Sequence, residues 1–165
     1  MPAVQRGPLA PKPPTASLKR MLDDLRDRWE PVVPYDRSFD ASYGLEFLAH
    51  DAEAGEIRGR LAVNEDQLSE HGLVHGGVFA SAAEALASTG TALAVMDAGE
   101  AAMGLSNDTT ILADVTSGSV DVDARVVSRT PHEWLWTVDA RDHDGRPCAH
   151  SRVTVAVRPL RRPAG

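Results

Sequence analysis

With 165 residues, 42% of them hydrophobic and 25% charged, the chain has the size and composition of one soluble globular domain. Its net charge of -7 gives no electrostatic reason to bind nucleic acid or an anionic membrane. One cysteine, Cys148, excludes an internal disulfide; no stretch reads as a secretory signal, and the longest apolar run, Gly90 to Met96, is too short to span a bilayer, so a cytoplasmic protein is expected.

Residues 1–14 hold five of the eleven prolines, a density that defeats helix and sheet alike and predicts a disordered tail. A single domain is expected over 15–160, with a short C-terminal tail at 161–165. Leu18, Met21, Leu22, Leu25 and Trp29 recur at helical spacing, with Thr15 or Ser17 as cap and Pro31 as stop. That pattern predicts an amphipathic helix covering part of a sheet. "SYGLEFLAHD" and "GEIRGRLAVNED" read as an antiparallel pair turning at Ala54–Gly55, with Ile57, Leu61 and Val63 on one face.

The alanine-rich segment from about Gly76 to about Ala98 lacks alternation and predicts a long helix. The last third alternates strongly. Val120, Val122, Ala124 and Val126 share one face, as do Trp134, Trp136, Val138 and Ala140, and as do Ala149, Ser151, Val153, Val155 and Val157. An Asp-Gly turn in "HDGRP" joins the last two runs. Polar alternation leaves one sheet face to solvent. The fold class expected is α+β, an antiparallel sheet wrapped around one long central helix.

Within that helix one side chain is out of place. From Gly76 through Val95, Glu84 is the only ionisable group, and a lone carboxylate among alanines is costly to bury. Gly76 and Gly77 leave the first helix amides uncovered, where a carbonyl oxygen gaining negative charge would be stabilised; the alternative is that they only turn a tight loop. Eight residues separate Gly76 from Glu84, roughly 12 Å of helix. One small reacting group cannot touch both in one subunit, so joint action requires a site shared between two antiparallel helices of a dimer. Ser88, one turn beyond Glu84, could hold a water or a carbonyl beside the carboxylate, or be there for its size.

The stretch "GLVHGGVFASAAEALAS", continued through "MGLSNDTT", "GSVDVDARVV" and "EWLWTVDARDHDGRPCAHSRVTVAVRP", resembles the hotdog-fold acyl-CoA thioesterases over about residues 40 to 160. Within them it is most similar to the 4-hydroxybenzoyl-CoA thioesterase family, in the branch with glutamate on the central helix, with 1,4-dihydroxy-2-naphthoyl-CoA thioesterases as near relatives. The resemblance implies that Gly76 donates its backbone N–H to the thioester carbonyl, that Gly77 supports the turn and that His75 shapes the oxyanion end. It implies Glu84 as nucleophile or general base, and Ser88 where the family keeps Thr or Ser. Asn107, in "SNDTT", falls among the implied substrate-binding residues. The implied substrate is an acyl-CoA with an aromatic acyl group, hydrolysed without a cofactor. The implied assembly is a homodimer with shared sites, paired into a homotetramer.

Two positions depart from the family. Ser69 stands where a glutamine polarises the carbonyl; either Gln67, two residues earlier, reaches in by another loop path or that contact is absent. Ala113 stands where an arginine meets the CoA nucleotide, leaving Arg161, Arg162 or His132 to contact phosphate. Aliphatic acyl-CoA and carrier-protein thioesters are therefore alternatives. A hydratase or dehydratase using His75 with Glu84 would place a bulky residue and proline, not Gly-Gly, after the histidine. A metal site at His71 and His75 with Glu70 lacks helical spacing on one face. Ser81 lacks a nucleophile elbow, and a non-catalytic acyl-binding module would have no use for Glu84.

Overall fold

The computed structural model describes residues 16–28 and 33–160. The proline-rich stretch 1–14, Trp29, Pro31, Arg161 and Arg162 lie outside the described residues. Helix α1 (Ala16–Arg28) is followed by a 3₁₀ turn (Tyr35–Arg37), a single-turn helix α2 (Phe39–Ser42) and strands β1 (Leu45–Asp51) and β2 (Glu56–Ala62). A second 3₁₀ turn (Glu65–Gln67) leads to the long helix α3 (Gly76–Val95), extended by a third (Met96–Ala98). Strands β3 (Glu100–Ile111), β4 (Ser119–Arg129), β5 (Glu133–Asp142) and β6 (Pro147–Pro159) complete the chain.

All six strands form one antiparallel sheet in the order β1-β2-β4-β5-β6-β3. Its concave face carries the alternating residues read from the sequence: Ile57, Leu61, Val120, Val122, Trp136, Val138, Val153 and Val155 are buried almost completely. They close around α3, eleven of whose twenty residues are buried. Although Gly76–Ala98 is long and apolar enough to cross a membrane by composition alone, the sheet enfolds most of it. The apolar helical run is thus much longer than Gly90 to Met96, and its hydrophobicity on several sides follows from burial in the core.

Close approach between helix and sheet is set at Gly90. A Cβ there would fall 2.8 Å from the Trp136 ring and 3.0 Å from Ile57 Cγ2. The buried indole N–H of Trp136 donates to Thr91 Oγ1 at 2.9 Å, and that hydroxyl donates to the Ala87 carbonyl at 2.8 Å. A tryptophan in the core thus keeps its polar atom satisfied.

The convex face is polar, with ion pairs between neighbouring strands at Arg60–Asp121 and Arg125–Asp139. Helix α1 buries Leu18 and Leu22 and lies against α3 and β1, and Arg28 ties its end to Asp97 at 3.0 Å. The first strand begins later than "SYGLEFLAHD" suggests. Ser38 caps α2 through its hydroxyl, Ser42 ends it, and Gly44 at φ +67° redirects the chain, so pairing starts only at Leu45.

Candidate active site

Helix α3 starts on a histidine cap. His75 is extended, its Nδ1 accepts the Gly77 N–H at 3.0 Å and its carbonyl accepts the Val78 N–H at 2.9 Å. The Gly76 N–H has no acceptor among the described residues. It projects at the positive end of the helix, where an oxygen gaining negative charge is favoured. A Cβ on Gly76 would meet only Ile111, at 3.5 Å and 3.6 Å, so packing does not demand glycine there. Its absence leaves the amide open to close approach. At Gly77 a Cβ would crowd His75 Nδ1 at 3.0 Å, so this glycine lets the imidazole fold over the helix end.

The lone glutamate is exposed on the side of α3 that lies along the edge strand β3. Gly77, Ser81, Glu84 and Ser88 follow at intervals of four, three and four residues, which places them in one stripe, and none is buried. Ser88 Oγ donates to Glu84 Oε1 at 3.1 Å, fixing one carboxylate oxygen. Strand β3 runs alongside in the opposite direction: Ile111 lies near Gly76, Asn107 Nδ2 donates to the Ala80 carbonyl at 2.8 Å, and Gly104 lies under Glu84. Within one chain the open amide and the carboxylate remain roughly 12 Å apart along the helix axis.

An open cleft of about 330 Å³ sits between α2 and the first turns of α3, lined by Phe39, Tyr43, Gln67, His75 and Ser81 among others. Phe39 and Tyr43 meet edge to face with ring centroids 5.3 Å apart. Burial pushes the Tyr43 hydroxyl far above its ordinary value, helped by its hydrogen bond to Asp40 and by the charge of Glu84 nearby, so it remains a proton donor. It donates to Asp40 Oδ1 at 2.8 Å and approaches the Ser81 carbonyl at 3.3 Å. The sequence reading missed α2 and this aromatic pair. The capping serine followed by aromatics four residues apart in "SFDASY" was the available signal.

Comparison with known proteins adds the family. Residues 71–149 match the thioesterase superfamily model. Over 124 residues the chain is 32% identical to the esterase PA1618 of Pseudomonas aeruginosa, covering 74% of this chain and 83% of that protein. The chain belongs to the thioesterase superfamily. This thioesterase-family chain superposes on a solved structure of PA1618, described there as a thioesterase, with a TM-score of 0.72, at 27% identity, covering 84% of this chain and 94% of the other. The thioesterase HI1161 of Haemophilus influenzae gives 0.71 at 26% identity, covering 78% and 88%. The esterase Rv1847/MT1895 of Mycobacterium tuberculosis gives 0.70 at 28% identity, covering 75% and 98%. The hotdog arrangement is therefore that of the thioesterases, and the class of chemistry is thioester hydrolysis.

The remaining residues singled out from the sequence are dispersed. Gln67 lines the cleft, but its side chain is committed to the main chain: Nε2 donates to the Tyr43 and Ala62 carbonyls at 2.8 Å and 3.1 Å, and Oε1 accepts the Asn64 N–H. With both donor hydrogens spent, it is not free to polarise a substrate carbonyl, which corrects its placement among the substrate-binding residues and leaves the other alternative, that the contact is absent. Ser69 closes a tight loop through backbone bonds to Leu73 and Gly72 and makes no side-chain hydrogen bond among the described residues. Asn107 has its amide oxygen held by Thr109 at 2.8 Å while its nitrogen pins β3 to α3. His132 lies in the β4–β5 turn, where its carbonyl accepts from Val157 and Arg158. Arg161 lies outside the described residues. Among the described residues no group of three His, Cys, Asp or Glu side chains could hold a metal ion.

Proposed function

We propose that two copies of the chain form a homodimer that hydrolyses acyl-CoA thioesters with an aromatic acyl group, in the manner of the 4-hydroxybenzoyl-CoA thioesterases. The observation that carries this reading is the presence, on one helix, of an open Gly76 amide and an exposed, serine-held Glu84.

The edge of β3 supports the dimer. It pairs on one side only, with β6, and carries exposed Met103, Leu105 and Ile111, an apolar strand edge that isolated proteins avoid. Because β3 runs opposite to α3, antiparallel pairing of two β3 edges centred between Asn107 and Asp108 would set position 111 of one copy against position 104 of the other. That register brings the partner's Gly76 to Glu84, and the 12 Å separation within one chain disappears. The exposed ring of Phe39, backed at the cleft by the buried Tyr43, favours a ring-bearing acyl group.

In the shared site the Gly76 amide of one subunit polarises the thioester carbonyl and stabilises its developing oxyanion. Glu84 of the other subunit, with Oε1 held by Ser88, attacks the carbonyl carbon or draws a proton from the attacking water. Either route expels CoA as the thiolate; activated water gives the free acid directly, whereas attack by Glu84 leaves a mixed anhydride that a second step, attack by water, opens to the free acid and the regenerated carboxylate. Hydrolysis in ¹⁸O-water under single turnover tests the covalent route, because label in Glu84 arises only when water opens an anhydride at the Glu84 carbonyl. The paired dimers of a homotetramer, the alternatives of aliphatic or carrier-bound acyl groups, and a cytoplasmic location belong to the same reading as open extensions.

The test is thiol release from a panel of aromatic and aliphatic acyl-CoAs with Glu84→Gln as control. Preference for an aromatic thioester, with turnover reduced a hundredfold or more in the folded variant, supports the proposal. Full activity of Glu84→Gln refutes the mechanism, and a preference for aliphatic chains refutes the substrate class.

A further inference from the structure

The strand beneath Glu84 is irregular at one point. Gly104 of β3 pairs with Val155 of β6, and Asn107 pairs with Val153, so three steps on β3 answer two on β6. The extra residue, Leu105, is a β-bulge. In a regular strand, residues 104 and 107 would face opposite sides of the sheet. The bulge turns both toward α3, as their partners Val153 and Val155, both fully buried, require.

Each of the two then meets the helix in its own way. Asn107 ties the strand to Ala80, one turn before Glu84, and Thr109 holds Asn107 in turn while contacting Ser151 Oγ at 2.8 Å. Gly104 offers no side chain. A Cβ built there would overlap Glu84 Oε1 and stand 3.0 Å from Cδ and 3.5 Å from Cγ, so its three nearest neighbours are all atoms of this one carboxylate side chain. The glycine is not demanded by the backbone, since Gly104 is absent from the residues with positive φ. Glycine inside a strand weakens it. What its absent side chain provides is space for the carboxylate.

We infer that Gly104, presented by the Leu105 bulge, is a positioning residue that sets the Glu84 side chain in its working rotamer. Oε1 is held between the Ser88 hydroxyl and the bare strand backbone, and Oε2 is left for the reaction. The inference rests on the reading of Glu84 as the group that attacks or activates water. Because the atoms in conflict are the far end of a flexible side chain, a methyl at 104 displaces the carboxylate and leaves the fold as it is.

The experiment compares wild type, Gly104→Ala, Glu84→Asp and the double variant by kcat, KM and Tm, using the acyl-CoA that wild type hydrolyses fastest. Gly104→Ala is expected to lower kcat tenfold or more, with KM within twofold and Tm within a few degrees of wild type. In the Glu84→Asp background, whose carboxylate is withdrawn by one methylene, the same methyl is expected to cost at least threefold less. A Gly104→Ala variant with wild-type kcat overturns the inference. So does one that fails to fold, or one whose loss is equal in both backgrounds. Failure of the underlying reading looks different: there Glu84→Gln itself keeps full activity.

Discussion

Two glycine-to-alanine substitutions in the same helix are expected to behave in opposite ways. In Gly90→Ala the new methyl lands 2.8 Å from the Trp136 ring and 3.0 Å from Ile57, both side chains almost wholly buried. Trp136 cannot swing aside without giving up its hydrogen bond to Thr91. Overpacking of this kind costs about 1–3 kcal/mol, and a buried N–H losing its partner about 1–3 kcal/mol more if it breaks. Helix propensity returns only about 1 kcal/mol. The net loss is about 2 kcal/mol, which for a chain of this length lowers Tm by roughly 4–8 °C. In Gly76→Ala the methyl meets only Ile111 at ordinary contact distance, so Tm holds or rises slightly while thioesterase activity falls as the amide is screened. Differential scanning calorimetry at one fixed protein concentration, with activity measured on the same samples, reads both. A Gly90→Ala variant as stable as wild type would show that the helix does not press on Trp136 as described, and the reasoning would fail.

Three further outcomes follow from the same geometry. If the proposed dimer forms through the free edge of β3, Met103→Glu is expected to give monomers by sedimentation velocity and to abolish turnover at low protein concentration; an active monomer would exclude a shared site. Gln67→Ala is expected to lower Tm, because it leaves the Tyr43 and Ala62 carbonyls without their buried donor, at about 1–3 kcal/mol; a variant with unchanged Tm would show that those bonds contribute nothing. The Arg146 guanidinium, together with the Arg146 and Asp144 backbone N–H groups, holds the Asp142 carboxyl below its ordinary value. A depressed folded-state value means that this stabilisation is complete above about pH 4, the unfolded carboxylate range, and is lost as pH falls through the folded value. The Tm gap between wild type and Asp142→Asn is therefore expected to be widest near pH 6 and to close in more acid solution; a gap constant from pH 6 to pH 3 would count against it.

The sequence by itself determined the core. Alternation in "SVDVDARVV", "EWLWTVDAR" and "CAHSRVTVAVRP" assigned each strand its buried face, because a strand has only two faces and a period of two. The alanine-rich segment from Gly76, without alternation, announced a long helix, and its single carboxylate, Glu84, stood out as the candidate site residue. Tertiary structure decided what no local pattern carries. The chain that leaves α3 crosses to the far edge and pairs with β6, which puts Gly104 under Glu84 and Ile111 beside Gly76 from residues twenty and thirty-five positions away. The Leu105 bulge, visible only against its partner strand, chose which β3 residues face the helix. Gln67 shows the limit most plainly: its residue type fits a carbonyl-polarising role, but one of its hydrogens is claimed by the carbonyl of Tyr43, twenty-four residues away. Hydrogen bonds between distant segments are settled by how the elements pack, and a local pattern in the sequence does not contain that information.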